Sequence, residues 1–290
     1  MKRAIISADD FGLSLEVNEA VEYAHRHGLL STASLMIAGD AAQDAIARAR
    51  RMPSLQVGLH LVVIEGSAVL PHEQIPLITQ ADGWFPSSQF ALGVNYFFRP
   101  RVRQQLAREI KAQFEAFART GLRLDHANAH KHMHLHPTVG QLMITIGKKY
   151  GLNALRIPRE HPDPLSHATD IRSSDRLGNA LLRQWTRLLR YQAYKAGMAT
   201  NDWCFGLAWS GHMTTQRVAT LAAHLPEGIS EIYFHPATQK NTLLNRLMPT
   251  YEHYAELEAL CSPDFKNGFV RSGTLLCGWQ DIVHAQRHNN

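Results

Sequence analysis

The chain has 290 residues, of which 45% are hydrophobic, and this is enough apolar material for one large domain or two smaller ones. Its 30 lysines and arginines exceed its 25 acids by a formal net charge of +5. These charges are scattered and no motif of a nucleic-acid-binding fold is present, so we expect no nucleic-acid partner.

The cysteines and the first residues bear on the compartment. Cys204, Cys261 and Cys277 are far apart and form no CxxC pair, which is typical of a reducing compartment rather than a disulfide scaffold. Asp9 and Asp10 stand where a signal peptide would continue its apolar run. No apolar run approaches the roughly 18–20 residues that cross a membrane. We therefore expect a cytoplasmic protein.

Apolar strands and helices alternate in the first third of the chain. Residues 64–99 break this rhythm with prolines, glycine and aromatic residues, and so long an irregular segment is typical of an active-site lid. Before it we predict a strand over 3–8, a helix capped by Ser14 that ends at His27, a β-rich stretch over 31–37, a helix over 40–51 and a strand over 55–61.

The alternation resumes after this insertion. We predict helices over 100–120, 137–150, 174–196, 214–224, 250–260 and 263–269, and strands over 122–124, 154–158, 202–207, 230–234 and 272–277. Such alternation predicts parallel βαβ units. No repeat or composition shift marks a boundary, so we expect a single domain over 1–290. Six or seven units fit a (β/α) TIM-like barrel better than an open sheet.

Residues 124–137 contain five of the 17 histidines. His130, His132 and His134 alternate, so in an extended segment they would point to one face. Such a row can bind a metal and still leave an imidazole for acid–base chemistry. The plain alternatives are a solvated polar loop and a fortuitous His tag, but a tag would lie at a terminus and would lack the interleaved Met133 and Leu135 and the closing Pro137.

Further polar residues follow the predicted strands, at the end where a β/α barrel builds its active site. These are Asp9 with Asp10, His60, His130 and His235. Two adjacent carboxylates must point differently, so one can bind a metal while the other serves as a base. As structural alternatives, Asp10 could cap a helix and His60 alone could be a core histidine.

The motifs Ala8-Asp9-Asp10-Phe11-Gly12 and Gly58-Leu59-His60-Leu61, with the histidine row, together resemble the YdjC-like carbohydrate deacetylases. The resemblance implies a (β/α) barrel, a divalent metal (Zn, Co, Ni or Mg) and hydrolysis of N-acetyl groups on an amino-sugar substrate. It implies Asp10, His60 and His130 as metal ligands, Asp9 as the catalytic base and Arg156 as the arginine that orients this base. His235 is a candidate general acid, with a histidine of the row as the alternative. The remaining row members, His132 and His134, are then expected to bind substrate.

The row also departs from the common family pattern, which often has Asp-Ser-His where this chain has Asn128-Ala129-His130. With the added His136, it is similar to the branch associated with hopanoid biosynthesis (HpnK). This resemblance implies an N-acetylglucosaminyl hopanoid, a lipid-linked substrate. A homodimer is a further expectation.

A lipid-linked substrate would bring the enzyme to the inner membrane surface. The helix between residues 174 and 197 has Arg183, Arg187 and Arg190 at helical spacing, and we expect this basic stripe to contact anionic lipid peripherally. A solvated face of an outer barrel helix is the alternative. The opposite, core-facing stripe is expected to contain Leu177, Leu181, Trp185 and Leu188.

Two other functions would use the same residues. A non-haem iron oxygenase with a 2-His-1-carboxylate site has the same ligand count, but the alternating β/α pattern disfavours it. A non-enzymatic His-rich metal-binding protein would bind several metals and would give Asp9 and Arg156 no role. Oxygen consumption and metal stoichiometry separate these alternatives from a hydrolase.

Overall fold

The computed structural model describes residues 1–166 and 175–288, with the side chains of 1–165 and 184–286. Every strand pairing in these ranges is parallel. The strands follow the order β6-β5-β4-β3-β2-β1-β8-β7, and β9 pairs with β1. They are β1 (Lys2–Phe11), β2 (Thr32–Leu35), β3 (Gln56–Leu61), β4 (Ala127–Ala129), β5 (Ala154–Leu155), β6 (Ala199–Thr200), β7 (Trp203–Phe205), β8 (Gly228–Phe234) and β9 (Leu275–Leu276).

The sheet curls toward closure around β1. Strand β8 pairs with one edge of β1 from Lys2 to Ala8, and β9 and β2 share its other edge. The two ends of the strand order, β6 and β7, follow each other directly in the chain. In β7 the Cys204 amide donates a 2.7 Å hydrogen bond to the Arg159 carbonyl, which lies beyond β5. The predicted TIM-like barrel is therefore confirmed.

The helices surround this sheet and bury apolar faces against it. Ser14 caps α1 as predicted, since its hydroxyl accepts a hydrogen bond from the Val17 amide. None of the helices in the described ranges is long and apolar enough to cross a bilayer. The helices are α1 (Leu15–His27), α2 (Ala42–Arg51), α3 (Gln89–Phe98), α4 (Pro100–Arg119), α5 (Pro137–Gly147), α6 (Pro162–Ser166), α7 (Asp175–Lys195), α8 (Thr215–Ala223), α9 (Thr242–Leu247), α10 (His253–Cys261), α11 (Pro263–Ser272) and α12 (Trp279–His288).

The strand predicted over 122–124 is wrong, because the chain reaches its pairing partner later. Hydrogen bonding to β3 begins with the Asp125 amide, which donates to the Val57 carbonyl at 3.0 Å. Strand β4 then covers Ala127–Ala129 and sets Asn128 beside His60. Leu122 and Leu124 are partly buried against the core without forming a strand.

The extended histidine row is also wrong. Residues His130–Leu135 form a 3₁₀ segment in which Lys131 and His132 have φ values of 49° and 53°. These two consecutive left-handed residues kink the segment. The histidines therefore point in different directions rather than to one face. The row therefore supplies side chains to several separate environments.

The insertion near 64–99 is partly helical rather than wholly irregular. It contains a short 3₁₀ turn over His72–Gln74 and helix α3. The Arg246 guanidinium lies 4.5 Å from the Trp84 ring centroid, so the insertion contacts α9. This contact brings the insertion to the carboxyl side of the barrel.

The stripes predicted on α7 need a correction. Arg187 is exposed, but Arg190 is partly buried and donates a 3.0 Å hydrogen bond to the Asp202 carbonyl. Leu189 is buried, while Leu188, predicted to face the core, is 38% exposed. The Arg190 side chain thus turns toward β7 because it binds Asp202. The side chains of Leu177, Leu181 and Arg183 lie outside the described residues.

Candidate active site

The polar residues predicted at strand ends converge at the carboxyl edge of the barrel. They surround a cavity of about 390 Å³. Its lining includes Asp9, His60, His130, His132 and His235, and further, mainly apolar side chains form what we call the apolar wall. This wall contains Leu207, Leu247, Met248, Pro249 and Tyr251.

A β-bulge separates the two adjacent carboxylates. The register between β1 and β2 shifts between Ala8 and Phe11, and Asp10 has a φ of 62°. Positive φ at a residue other than glycine is uncommon and is held in place by surrounding structure. The bulge directs Asp9 toward Arg156 and turns Asp10 toward two histidines.

Asp10, His60 and His130 form a compact buried cluster. Asp10 Oδ1 lies 3.3 Å from His60 Nε2 and 3.2 Å from His130 Nδ1. One potential ligand atom from each residue lies within 4.8 Å of the others, and no other such group of three occurs in the described part of the chain. Both Asp10 carboxylate oxygens are buried and accept no hydrogen bond.

Asn128 determines how His60 faces Asp10. The Asn128 Nδ2 group donates to Asp9 Oδ1 and to Ser34, so its Oδ1 is the acceptor that faces His60 Nδ1 at 2.7 Å. In the neutral His60 ring, the Nδ1–H donates this hydrogen bond and the Nε2 lone pair faces the Asp10 carboxylate. Two electron-rich atoms that face each other at 3.3 Å favour a cation between them.

Charge balance favours a divalent cation as well. Asp9, Asp10 and Glu231 are three buried carboxyl groups near one buried guanidinium, that of Arg156. Buried charge without compensation is strongly unfavourable. One carboxylate and two imidazoles form a donor set that suits Zn, Co or Ni and leaves coordination positions open. The residues present therefore fit a divalent metal.

Arg156 holds Asp9 in a fixed orientation. Its Nη1 and Nη2 atoms donate to both Asp9 carboxylate oxygens at 2.5 and 2.9 Å. Its Nε and Nη2 atoms donate to Glu231 at 2.8 and 2.7 Å, and its guanidinium lies 4.7 Å from the Tyr233 ring centroid. Although burial raises the pKa of Asp9, Arg156 outweighs it and holds that pKa well below its usual range.

His132 and His134 have different surroundings. His132 lines the cavity, where its Nε2 is 3.0 Å from the Tyr233 hydroxyl and its Nδ1 has no hydrogen-bond partner. His134 is fully buried, and its Nε2–H donates to the Arg156 carbonyl at 3.1 Å. Burial lowers the pKa of His134 to about 3, so its ring is neutral. His134 is absent from the cavity lining, and its hydrogen bond contacts the Arg156 backbone.

His235 lines the cavity and is held through its backbone. The His235 amide donates to Glu256, and its carbonyl accepts a 2.6 Å hydrogen bond from His253 Nδ1. Burial lowers the pKa of the His235 ring to about 4, although Asp10 and Asp9 act in the opposite direction. His253 and Glu256 both belong to α10, so this helix positions His235.

A partly buried carboxylate, that of Glu160, holds the loop that carries Leu207 of the apolar wall. Glu160 accepts hydrogen bonds from the consecutive amides of Gly206, Leu207 and Ala208 at 2.9–3.1 Å. Leu207 is the member of this loop that lines the cavity. Burial raises the pKa of Glu160 to about 7, although these three amides oppose the shift.

Sequence reasoning missed several residues that organise the site. Asn128 was noted only as a departure from the family pattern, although it joins His60 to Asp9. Glu231 had a signal that could have revealed it, because a lone carboxylate in the apolar strand Gly228–Phe234 requires a buried partner. Tyr233 in the same strand contacts both Arg156 and His132.

Comparisons with known proteins agree with this arrangement. The profile of a family described as YdjC-like protein matches residues 3–270. A chitooligosaccharide deacetylase of Enterobacter sp. (strain 638) is 27% identical over 290 residues, covering 97% of this chain and 99% of that protein. A carbohydrate deacetylase of Brevibacillus brevis is 33% identical over 160 residues, covering 55% of this chain and 59% of that protein.

A solved structure has the same fold. It comes from Enterococcus faecalis V583 and is described as a candidate cellobiose-phosphate cleavage protein. Its TM-score is 0.73 at 22% identity, covering 97% of this chain and 98% of that one. At this identity the likeness bears on the fold alone.

Replacing Arg156 should destabilise the barrel strongly. Arg156→Met leaves Asp9 and Glu231 buried without their partner, so we expect a loss of about 3–5 kcal/mol in the free energy of unfolding. Urea denaturation in metal-free buffer measures this loss. The control is Lys111→Met, which breaks an exposed pair with Glu115 and should leave the midpoint unchanged. Equal midpoints for the two variants would contradict the buried network.

Glu160 should make stability decline as pH rises. Its folded pKa of about 7 exceeds the ordinary 4.5, so its stabilising contribution is complete below pH 4.5 and is lost as pH rises through 7. Glu160→Gln keeps an acceptor oxygen and cannot titrate. We expect its free energy of unfolding to fall less than that of wild type between pH 5 and 8, by about 1–3 kcal/mol.

Denaturant titrations at several pH values measure this difference. Glu73→Gln removes an exposed carboxylate and controls for the change in net charge. Parallel pH profiles for wild type and Glu160→Gln would show that Glu160 does not titrate in this range.

Proposed function

Because the chain belongs to the YdjC-like family, we propose that it is a carbohydrate deacetylase, a hydrolase that removes an N-acetyl group from an amino sugar and releases acetate. The observation that carries this proposal is the pair of adjacent aspartates with different partners. Asp10 faces His60 and His130, and Asp9 is bound by Arg156 in the same site. The relatives named carbohydrate and chitooligosaccharide deacetylases support the same reaction.

We assign the metal-binding role to Asp10, His60 and His130, which would hold a divalent cation. When bound, such a cation polarises the acetamide carbonyl and lowers the pKa of a bound water. Zn, Co and Ni suit two imidazoles better than Mg does. The hydrogen bond from His60 to Asn128 would keep the His60 ring in the orientation and tautomer that this role needs.

Asp9 would accept the proton of the attacking water. The two hydrogen bonds from Arg156 and the one from Asn128 keep its carboxylate ionised and oriented. Arg156 is therefore a positioning residue, because it acts through Asp9. A positioned general base contributes typically about 10²–10⁴-fold to the rate.

His235 would protonate the leaving amine. The ring is neutral at pH 7, since burial holds its pKa at about 4 although Asp10 and Asp9 oppose the shift. The proton that it donates to the amine would therefore be the one that Asp9 has taken from the water. His132 lines the cavity and its buried Nδ1 has no hydrogen-bond partner, so we assign it a hydrogen bond to a sugar hydroxyl or to the acetamide of the substrate.

The finer substrate assignment rests on the histidine motif. Its similarity to the hopanoid-associated branch supports an N-acetylglucosaminyl hopanoid as substrate, and the apolar cavity wall suits a sugar that carries an apolar aglycone. Cytoplasmic location, peripheral membrane contact and a homodimer remain predictions made from the sequence.

Acetate release from a panel of N-acetylglucosamine conjugates tests the proposed reaction. The panel contains free chitooligosaccharides and conjugates with a polycyclic lipid, each assayed after chelation and after Zn²⁺, Co²⁺, Ni²⁺ or Mg²⁺ is restored. We expect acetate and free amine in equal amounts, only with added metal. Oxygen consumption without acetate would instead indicate an oxygenase, and no turnover with several metals bound per chain would indicate a metal-binding protein.

Variants of the cluster test the ligand assignment. We expect His60→Ala and His130→Ala to lose metal and activity with a stability loss that is small beside the roughly 2–5 kcal/mol of a core truncation. His284→Ala removes an exposed histidine and is the matched control. Metal retained at wild-type stoichiometry by both cluster variants would exclude these ligands.

A further inference from the structure

Helix α3 has an outward face without a polar residue. Phe90 is 84% exposed and Phe98 is 71% exposed, and Val94 and Phe97 are 42% and 45% exposed. With the exposed Ala91, these residues occupy one continuous side of the helix. The opposite side buries Leu92 and Tyr96 in the core. A surface helix normally turns polar residues to water, so this exposed apolar face requires a covering partner.

The helix adjoins the active site. The Gln89 side chain donates to the carbonyl of Lys131, which lines the cavity. Phe97 packs edge-on against His136, with ring centroids 6.1 Å apart. Both contacts are with the segment that follows His130, so α3 lies beside the mouth of the cavity.

The flanking residues carry only positive charge. Between Asp82 and Glu109 the sequence has four arginines and no acid. Three of them, Arg99, Arg101 and Arg103, are exposed just after the apolar face. Within the described residues no ion pair joins these three side chains to a carboxylate. The surface thus combines exposed phenylalanines with uncompensated positive charge.

We propose that the α3 face binds the surface of an anionic lipid bilayer. Phenylalanine inserts between the headgroups and the acyl chains, and arginine binds the lipid phosphates. A second copy of the chain fits less well, because a symmetric contact would bring like charges together. Ten helical residues extend only about 15 Å, which is small for an interface that buries about 800 Å² per partner. The contact would hold the cavity mouth next to the membrane.

Vesicle sedimentation of the full chain tests this contact. The probes are vesicles of phosphatidylcholine alone and of phosphatidylcholine mixed with phosphatidylglycerol. We expect salt-sensitive binding to the anionic vesicles only. Replacing Arg99, Arg101 and Arg103 by Gln should weaken this binding on the order of 100-fold. Phe90→Ser combined with Phe98→Ser should weaken it at least about tenfold, since both rings leave water on binding.

Matched variants separate this surface from general effects of charge and apolar area. Arg119→Gln, Lys266→Gln and Arg271→Gln together remove the same charge elsewhere, and Tyr23→Ser with Tyr254→Ser removes two other exposed aromatic rings. We expect both sets to bind like wild type. Equal binding to the two vesicle types, or equal weakening by the control sets, would overturn the proposal.

Sedimentation velocity tests the second-copy alternative. One outcome would assign this face to a second copy and overturn membrane contact. In that outcome the wild type is a dimer, Phe90→Ser combined with Phe98→Ser dissociates it, and the wild type does not bind vesicles. Vesicle binding requires no turnover, so it can fail while deacetylation stands, and the reverse also holds.

Discussion

The buried charge of Arg156 constrains the whole carboxyl end of the barrel. Its guanidinium joins Asp9 of β1 to Glu231 of β8, two strands that pair directly. An unpaired ion in this position would be unfavourable by several kcal/mol, so the arginine holds Asp9 permanently. The bulge in β1 leaves Asp10 to face His60 and His130. The division of roles that we propose for the two aspartates, with Asp9 unavailable as a metal ligand, would then follow from packing.

Strand periodicity predicted the barrel and the edge where the site lies, because both depend on local pattern and on the geometry of parallel sheets. Position after a strand selected Asp9, Asp10, His60, His130 and His235, which the structure brings together at this edge. The histidine row was misplaced because alternation predicts one face only for extended backbone. Lys131 and His132 adopt positive φ, which is uncommon for any residue other than glycine and is decided here by the surrounding fold. Asn128 was undervalued because its role consists of three long-range hydrogen bonds.

The insertion over residues 64–99 was also predicted only in part, because local composition indicates a lid but not how its helix packs. Its length and composition predicted a lid, but α3 became apparent only in the fold, where its inner side packs on the core and its outer side remains apolar. The sequence instead predicted membrane contact through the arginines of α7. One of these, Arg190, binds the Asp202 carbonyl within the fold. If α3 contacts lipid, the cavity would open toward a sugar attached to the bilayer. Catalytic geometry and substrate access would then derive from different parts of the chain.

The division between the adjacent aspartates is the central claim, and metal content measured beside turnover in Asp9→Asn and Asp10→Asn tests it most directly. Asp9→Asn should keep wild-type metal stoichiometry and lose about 10²–10⁴-fold in acetate release. Asp10→Asn should lose the metal itself, and activity with it. Loss of metal in Asp9→Asn with full retention in Asp10→Asn would contradict the account and exchange the two roles.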